Sequence, residues 1–153
     1  MNLGKQWLAM CKGKWNMYNT VVCAIGRGSR ERTQQLITAA SMLVAPNGKL
    51  HLVHVLDGLA SSSAFPDEWD MGVIADVEKT LVRALRSTGT SASVHVREGR
   101  PSEGVVALLN EVHADLVVIV SHRDDALEHV FGSVLDHVVR NAPCSIHILR
   151  TTA

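Results

Sequence analysis

The sequence predicts an α/β domain: a mostly parallel five-stranded sheet covered by helices on both faces, in three α/β/α layers. Three observations lead there. The predicted strands 20–25 and 115–120 contain the continuous apolar runs 21–25 and 116–120, rich in β-branched residues, the pattern of strands buried on both faces. Segments whose apolar residues recur at three- and four-residue spacing lie between such runs, as amphipathic helices require. Clusters of Gly, Pro, Asn and Ser separate the two kinds, so strand and helix alternate, which calls for parallel pairing.

The first strand, residues 20–25, ends in Gly26-Arg27-Gly28-Ser29. Leu36, Ile37, Ala40, Leu43 and Val44 then mark one face of a helix that Pro46-Asn47-Gly48 is expected to stop. Residues 49–56 read as the second strand, and Asp57 to Asp67 as a loop bearing Ser, Pro and Gly. Val73, Ile74, Val77, Leu81, Val82 and Leu85 form the next helical stripe, ended near Ser87-Thr88-Gly89 and followed by a strand over 91–96. Gly99-Arg100-Pro101-Ser102 turns into a helix with Val105, Leu108, Leu109 and Val112 inward. Pro101 suits its first position, where a missing N–H has no helical partner to lose. Residues 115–120 form the fourth strand. A polar loop from Ser121 to Val130 follows, then Phe131-Gly132-Ser133 opens a helix over 133–141, and Ile146 to Leu149 close the sheet.

A chain of 153 residues accommodates one domain with a short appendage and buries enough apolar surface to fold without metal or disulfides. Lys plus Arg and Asp plus Glu balance at 15 each, which argues against a dedicated nucleic-acid surface. Cys11, Cys23 and Cys144 show neither CxxC spacing nor paired frameworks, as expected of a reducing compartment, and a cytoplasmic location is the reading. No apolar run reaches transmembrane length, so no integral membrane association is expected. Residues 1–18 carry Trp7, Trp15 and three lysines but no signal-peptide core. They read as a poorly ordered extension or a start assigned too far upstream, with a small amphipathic partner helix as the rival; the domain itself spans 19–151.

With the whole order laid out, the chain resembles a universal stress protein domain over residues 19–150. The resemblance rests on Gly132-Ser133-Val134 through Val138-Val139-Arg140-Asn141-Ala142-Pro143-Cys144 before an apolar strand. It rests also on Val96-Arg97-Glu98-Gly99-Arg100-Pro101 leading to Ala114-Asp115-Leu116-Val117-Val118, and on Leu52-Val53-His54-Val55 in the second strand. It implies the strand order 3-2-1-4-5 and a homodimer to which the last strand, Ile146 to Leu149, contributes. An apolar strand at a sheet edge needs cover, so that pairing also makes physical sense.

Members of the family that bind ATP carry an Asp at the end of the first strand and the loop G-x-x-G-x9-G-[ST] after the fourth. The carboxylate accepts from the nucleoside. The glycines let backbone curl around phosphate, and the final pair presents amides and a hydroxyl at a helix N-terminus. Here the Asp position falls on Gly26, or on Arg27 with a one-residue shift. The first two loop glycines fall on Ile119 and His122, or on Val120 and Arg123 in the alternative register, and no glycine lies between Ser121 and Phe131. Asp124, Asp125 and Glu128 add negative charge where a polyphosphate would sit. Gly132 and Ser133 survive, with a sufficient structural role as the start and cap of a helix whose Asp136 suits its positive end. The residual nucleotide-site positions are therefore Gly26, Arg27, Ser121, His122, Arg123, Gly132 and Ser133. The expectation is a non-catalytic protein without a required cofactor, acting through its dimer and an unidentified protein partner; a divergent ATP- or nucleotide-binding member is the alternative.

Other chemistry reads more weakly. Asp125 and His129 are four apart but lack a third metal ligand. His51 and His54, three apart in a strand, point to opposite faces, and His95 and His147 sit singly in other strands. Ser121, His122 and Asp124 are adjacent in sequence without the elbow that would set a nucleophile against a base. Cys144 reads as a buried structural thiol. Arg27, Arg30 and Arg32 lie where such folds bind ligands and suit an anion or an acidic partner.

Overall fold

The computed structural model describes residues 18–57, 67–121 and 133–150. Residues 1–17, most of the expected extension, lie outside the described residues; Tyr18, counted with them from sequence, already belongs to a strand. Five strands, β1 (Tyr18–Ala24), β2 (Val44–Leu56), β3 (Ser93–Glu98), β4 (Leu116–Ser121) and β5 (Ser145–Arg150), form one sheet in the order β3-β2-β1-β4-β5. All four pairings are parallel. The helices are α1 (Arg30–Leu43), α2 (Asp67–Thr88), α3 (Pro101–Glu111) and α4 (Ser133–Asn141).

The continuous apolar runs are explained by two cores. Val21, Cys23, Leu52, Leu116 and Val118 face α1 and α2, where Leu36, Ile37, Ala40, Leu81, Ala84 and Leu85 meet them. Val22, Val53, Val117 and Ile119 face α3 and α4, which supply Val105, Leu108, Leu109, Leu135 and Val138. Val21, Val22 and Cys23 are successive and fully buried, so β1 has no solvent face. At about 1.5–3 kcal/mol for each fully buried aliphatic side chain, these central strands dominate the apolar stabilisation.

Local chemistry sets the helix ends. Ser29 is the extended N-cap of α1 and accepts from Arg32 N at 3.3 Å, while Glu31 in the first turn meets the positive end of the helix. Pro101 opens α3 as expected. At the far end of α3, His113 adopts φ 51° as Val112, His113 and Ala114 N–H groups return to Leu108, Asn110 and Leu109, a left-handed cap usually given to glycine.

One boundary differs from expectation. Helix α1 ends at Leu43, and Pro46-Asn47-Gly48 lie inside β2 instead of forming the helix stop. Tyr18 pairs with Val44 but Thr20 with Lys49, so the additional β2 residues are absorbed in a bulge. A Cβ on Gly48 would lie 2.9 Å from the Asn19 carbonyl and 2.8 Å from Val44, which is why the bulge takes glycine there.

Asp115 fixes the amino end of the sheet. Its carboxylate accepts from Asn19 N at 2.8 Å and Thr20 N at 3.0 Å, and its own N–H donates to Thr20 O at 2.8 Å. Replacing Asp115 by Ala removes two charge-assisted bonds and is expected to cost about 1–2 kcal/mol in denaturant unfolding, with Asp115→Asn losing less because one amide oxygen still accepts.

Helix α3 approaches β2 closely at Gly104, where an added Cβ would stand 2.8 Å and 3.2 Å from the two Val55 methyls. A methyl there gains about 1 kcal/mol of helix propensity but loses about 1–3 kcal/mol to overpacking, and a valine rotamer change cannot clear both contacts. Gly104→Ala is therefore expected to destabilise the protein. In a Val55→Ala background the same change is expected to turn stabilising, a sign reversal read by thermal or denaturant melts.

Candidate functional site

The order β2-β1-β4 places the topological switch point between β1 and β4, and ligands of open parallel sheets bind beyond the carboxyl ends of strands at such a point. The backbone there is arranged by its last hydrogen bonds. Ile25 N donates to Val53 O at 2.8 Å, the final rung of β1 against β2. The Ile25 carbonyl is taken by a side chain, His54, whose Nδ1–H donates to it at 2.9 Å. That bond fixes the His54 tautomer and lets the chain leave β2 and turn into α1 through Gly26, Arg27, Gly28 and Ser29.

The turn borders a shallow depression open to solvent. Ile25, Leu36 and Val120 form its apolar floor, and Gly26, Arg27, Gly28, Arg32 and Thr33 its rim. The described lining carries guanidinium groups and no carboxylate. Space does not account for that, since a Cβ on Gly26 would meet nothing within 4 Å. The start of α1 lies on this side, its Arg32 amide capped by Ser29.

Among the positions expected from sequence, Gly26 and Arg27 both line the cleft. Ser121 ends β4 in register with Arg150, and alternation turns its side chain to the face opposite Val120, away from this lining. Ser133 is the first residue of α4, as expected for a helix start. His122, Arg123 and Gly132 lie outside the described residues, as do Asp124, Asp125, Glu128 and His129. Thr33, Val120 and His54 were not singled out for the site. His54 was legible only as a strand residue, because its role depends on the carbonyl of the neighbouring strand. Among the described residues no group of three or more His, Cys, Asp or Glu side chains is placed to hold a metal ion, and no helix is long and apolar enough to cross a membrane.

The two described thiols, Cys23 and Cys144, are poor nucleophiles. Burial pushes the Cys23 thiol well above its ordinary range, and burial followed by the nearby Asp115 charge raises Cys144.

A five-stranded parallel sheet with its open crevice between β1 and β4 defines a doubly wound α/β protein of the switch-point type. Residues 17–150 match the universal stress protein family, and the chain belongs to it. It is 29% identical over 142 residues to universal stress protein G of Salmonella typhimurium, covering 88% of this chain and 100% of the relative. Two solved structures share the fold. A universal stress protein in complex with cAMP superposes with TM-score 0.63 at 21% identity, over 88% of this chain and 99% of the other. The universal stress protein of Archaeoglobus fulgidus in complex with dAMP does so with TM-score 0.60 at 23% identity, over 86% and 98%.

The His54 bond has a measurable consequence. His54→Phe keeps an aromatic ring but leaves the Ile25 carbonyl without its side-chain donor, at an expected cost of about 1 kcal/mol. Amides of residues 26–28 should then exchange faster while those of β4 are unchanged. His54→Gln, which can still donate, should fall between the variant and the parent in exchange measurements.

Proposed function

We propose that this universal stress protein is a non-catalytic, cytoplasmic homodimer that acts through protein contacts and does not hold ATP in the manner usual for the family. The observation that carries the reading is the end of β1: Gly26-Arg27-Gly28 border the cleft where a nucleoside-binding carboxylate would be needed. The loop after β4 adds to it in sequence, offering no glycine between Ser121 and Phe131. The outer edge of the sheet supports the dimer. β5 is half-exposed, Ile148 is 39% exposed on it, and Val139 of the neighbouring α4 is 51% exposed. An apolar strand with an unpaired backbone row is a surface that a second copy covers well.

A nucleotide-binding reading is favoured by one specific observation. Relatives of the same fold were solved with cAMP and dAMP, and Arg27 and Arg32 here border the switch-point end of the sheet. In that case the basic rim takes over the phosphate and the missing carboxylate is bypassed.

One preparation separates the two. The purified chain is assayed for co-purified nucleotide by mass spectrometry, titrated with ATP–Mg²⁺, AMP and cAMP by calorimetry, and sized by sedimentation. The expected outcome is an empty dimer without heats of binding at sub-millimolar ligand, and Ile148→Asp is expected to shift it to monomer with the fold intact. A stoichiometric nucleotide, lost on Ser133→Trp or Arg27→Ala, would establish the second reading.

A further inference from the structure

Two histidines that read as solitary in the sequence meet in the structure. His51 on β2 and His95 on β3 place Nδ1 and Nε2 3.0 Å apart, with ring centroids separated by 5.2 Å. Register explains it: His51 aligns with Ser93 and Val53 with His95, so both rings stand on the α3 face of neighbouring strands. β3 is an edge strand, and its rings, like those of His51, are half-buried. The pair is not a metal site, because no third donor completes it among the described residues.

A hydrogen bond between two imidazoles requires one nitrogen to carry a proton and the other to offer its lone pair. The first added proton goes to the outer nitrogen of the donor ring, giving an imidazolium that donates more strongly. A second proton must occupy the accepting nitrogen. It abolishes the bond and leaves two cations in contact.

We infer that the His51–His95 bond is a proton-operated latch holding the edge strand β3 to β2, closed while the pair carries at most one added proton and released by the second. The surroundings favour release. Lys49 on β2 and Arg97 on β3 add positive charge to the cluster, and Val22, the β1 residue in register with His51, is apolar. From α3 the one facing carboxylate, Glu111, is held by Arg97 in a bidentate pair at 2.8 Å and 2.5 Å, so its charge is already engaged. Burial depresses both histidines below their ordinary 6.5, followed at His51 by the His95 ring and then Lys49, and at His95 by Arg97 with Glu111 opposing. For a group whose folded value is lowered, the folded state binds fewer protons than the unfolded chain. The stability it contributes is present above about pH 6.5 and is lost as the pH falls through the lowered folded values.

The test uses the full chain labelled for NMR. Histidine ring shifts and protection factors of the β3 amides that pair with β2 are followed from pH 8 to pH 4.5, with central strand β1 as the internal reference. Between pH 7 and pH 5, protection in β3 is expected to fall about tenfold more than in β1. His95→Gln, which can hydrogen-bond His51 but does not titrate, is expected to abolish that excess, and His51→Gln should reproduce the result if the first variant folds poorly. Two rings titrating independently near 6.5, or an excess loss that persists in both glutamine variants, would overturn the latch.

Discussion

The pairing of β1 with β4 is the constraint on which the remaining architecture depends. Four register pairs, Val21 with Leu116 through Ala24 with Ile119, join two strands that are buried on both faces. Backbone amides in such a place have no water to fall back on, so the ladder must be complete and its register unique. Asp115 supplies the fixed point. It binds the first amides of β1 just before the apolar run of β4 begins, and its carbonyl accepts from Ser145 N at the head of β5. Three strands therefore share an anchor at one residue, outside the apolar core whose packing it aligns.

The two ends of the sheet are consequently unlike. The amino end is tied by Asp115 and by the close-packed bulge at Gly48. At the carboxyl end the ladder between β1 and β2 gives way to a single side-chain bond from His54, and glycine and arginine replace the apolar run. The fold puts its rigidity beneath the crevice and its chemical variety above it. Family membership follows from the first, whereas what the crevice holds follows from a handful of residues in the second, which is why a shared fold does not transfer a shared ligand.

Legibility in the sequence divides along the same line. β1, β4, β5 and α4 were readable to within a residue or two because continuous apolar runs and a glycine-led helix start are local signals. The start of β2 was misplaced because Pro46-Asn47-Gly48 is also a local signal, of a helix stop, and only the partner strand reveals it as a bulge. The roles of Asp115 and His54, and the meeting of His51 with His95, were invisible for one reason: each is a relation between strands, set by register, that no single strand's periodicity encodes. Gly26 and Arg27 border the crevice because whatever follows the first buried run must emerge at the strand's carboxyl end. Ser121 was read as the start of the polar loop, a reading that does not register the alternation turning it from Val120.

Cys23 sits near the carboxyl end of β1 with no exposed surface, in register with both Leu52 and Val118. An alkylating probe has no route to that sulfur through side-chain motion alone; the α1–α2 layer that covers it must lift from the sheet. The chain thus carries, beneath its first two helices, an inbuilt gauge of how often that layer opens.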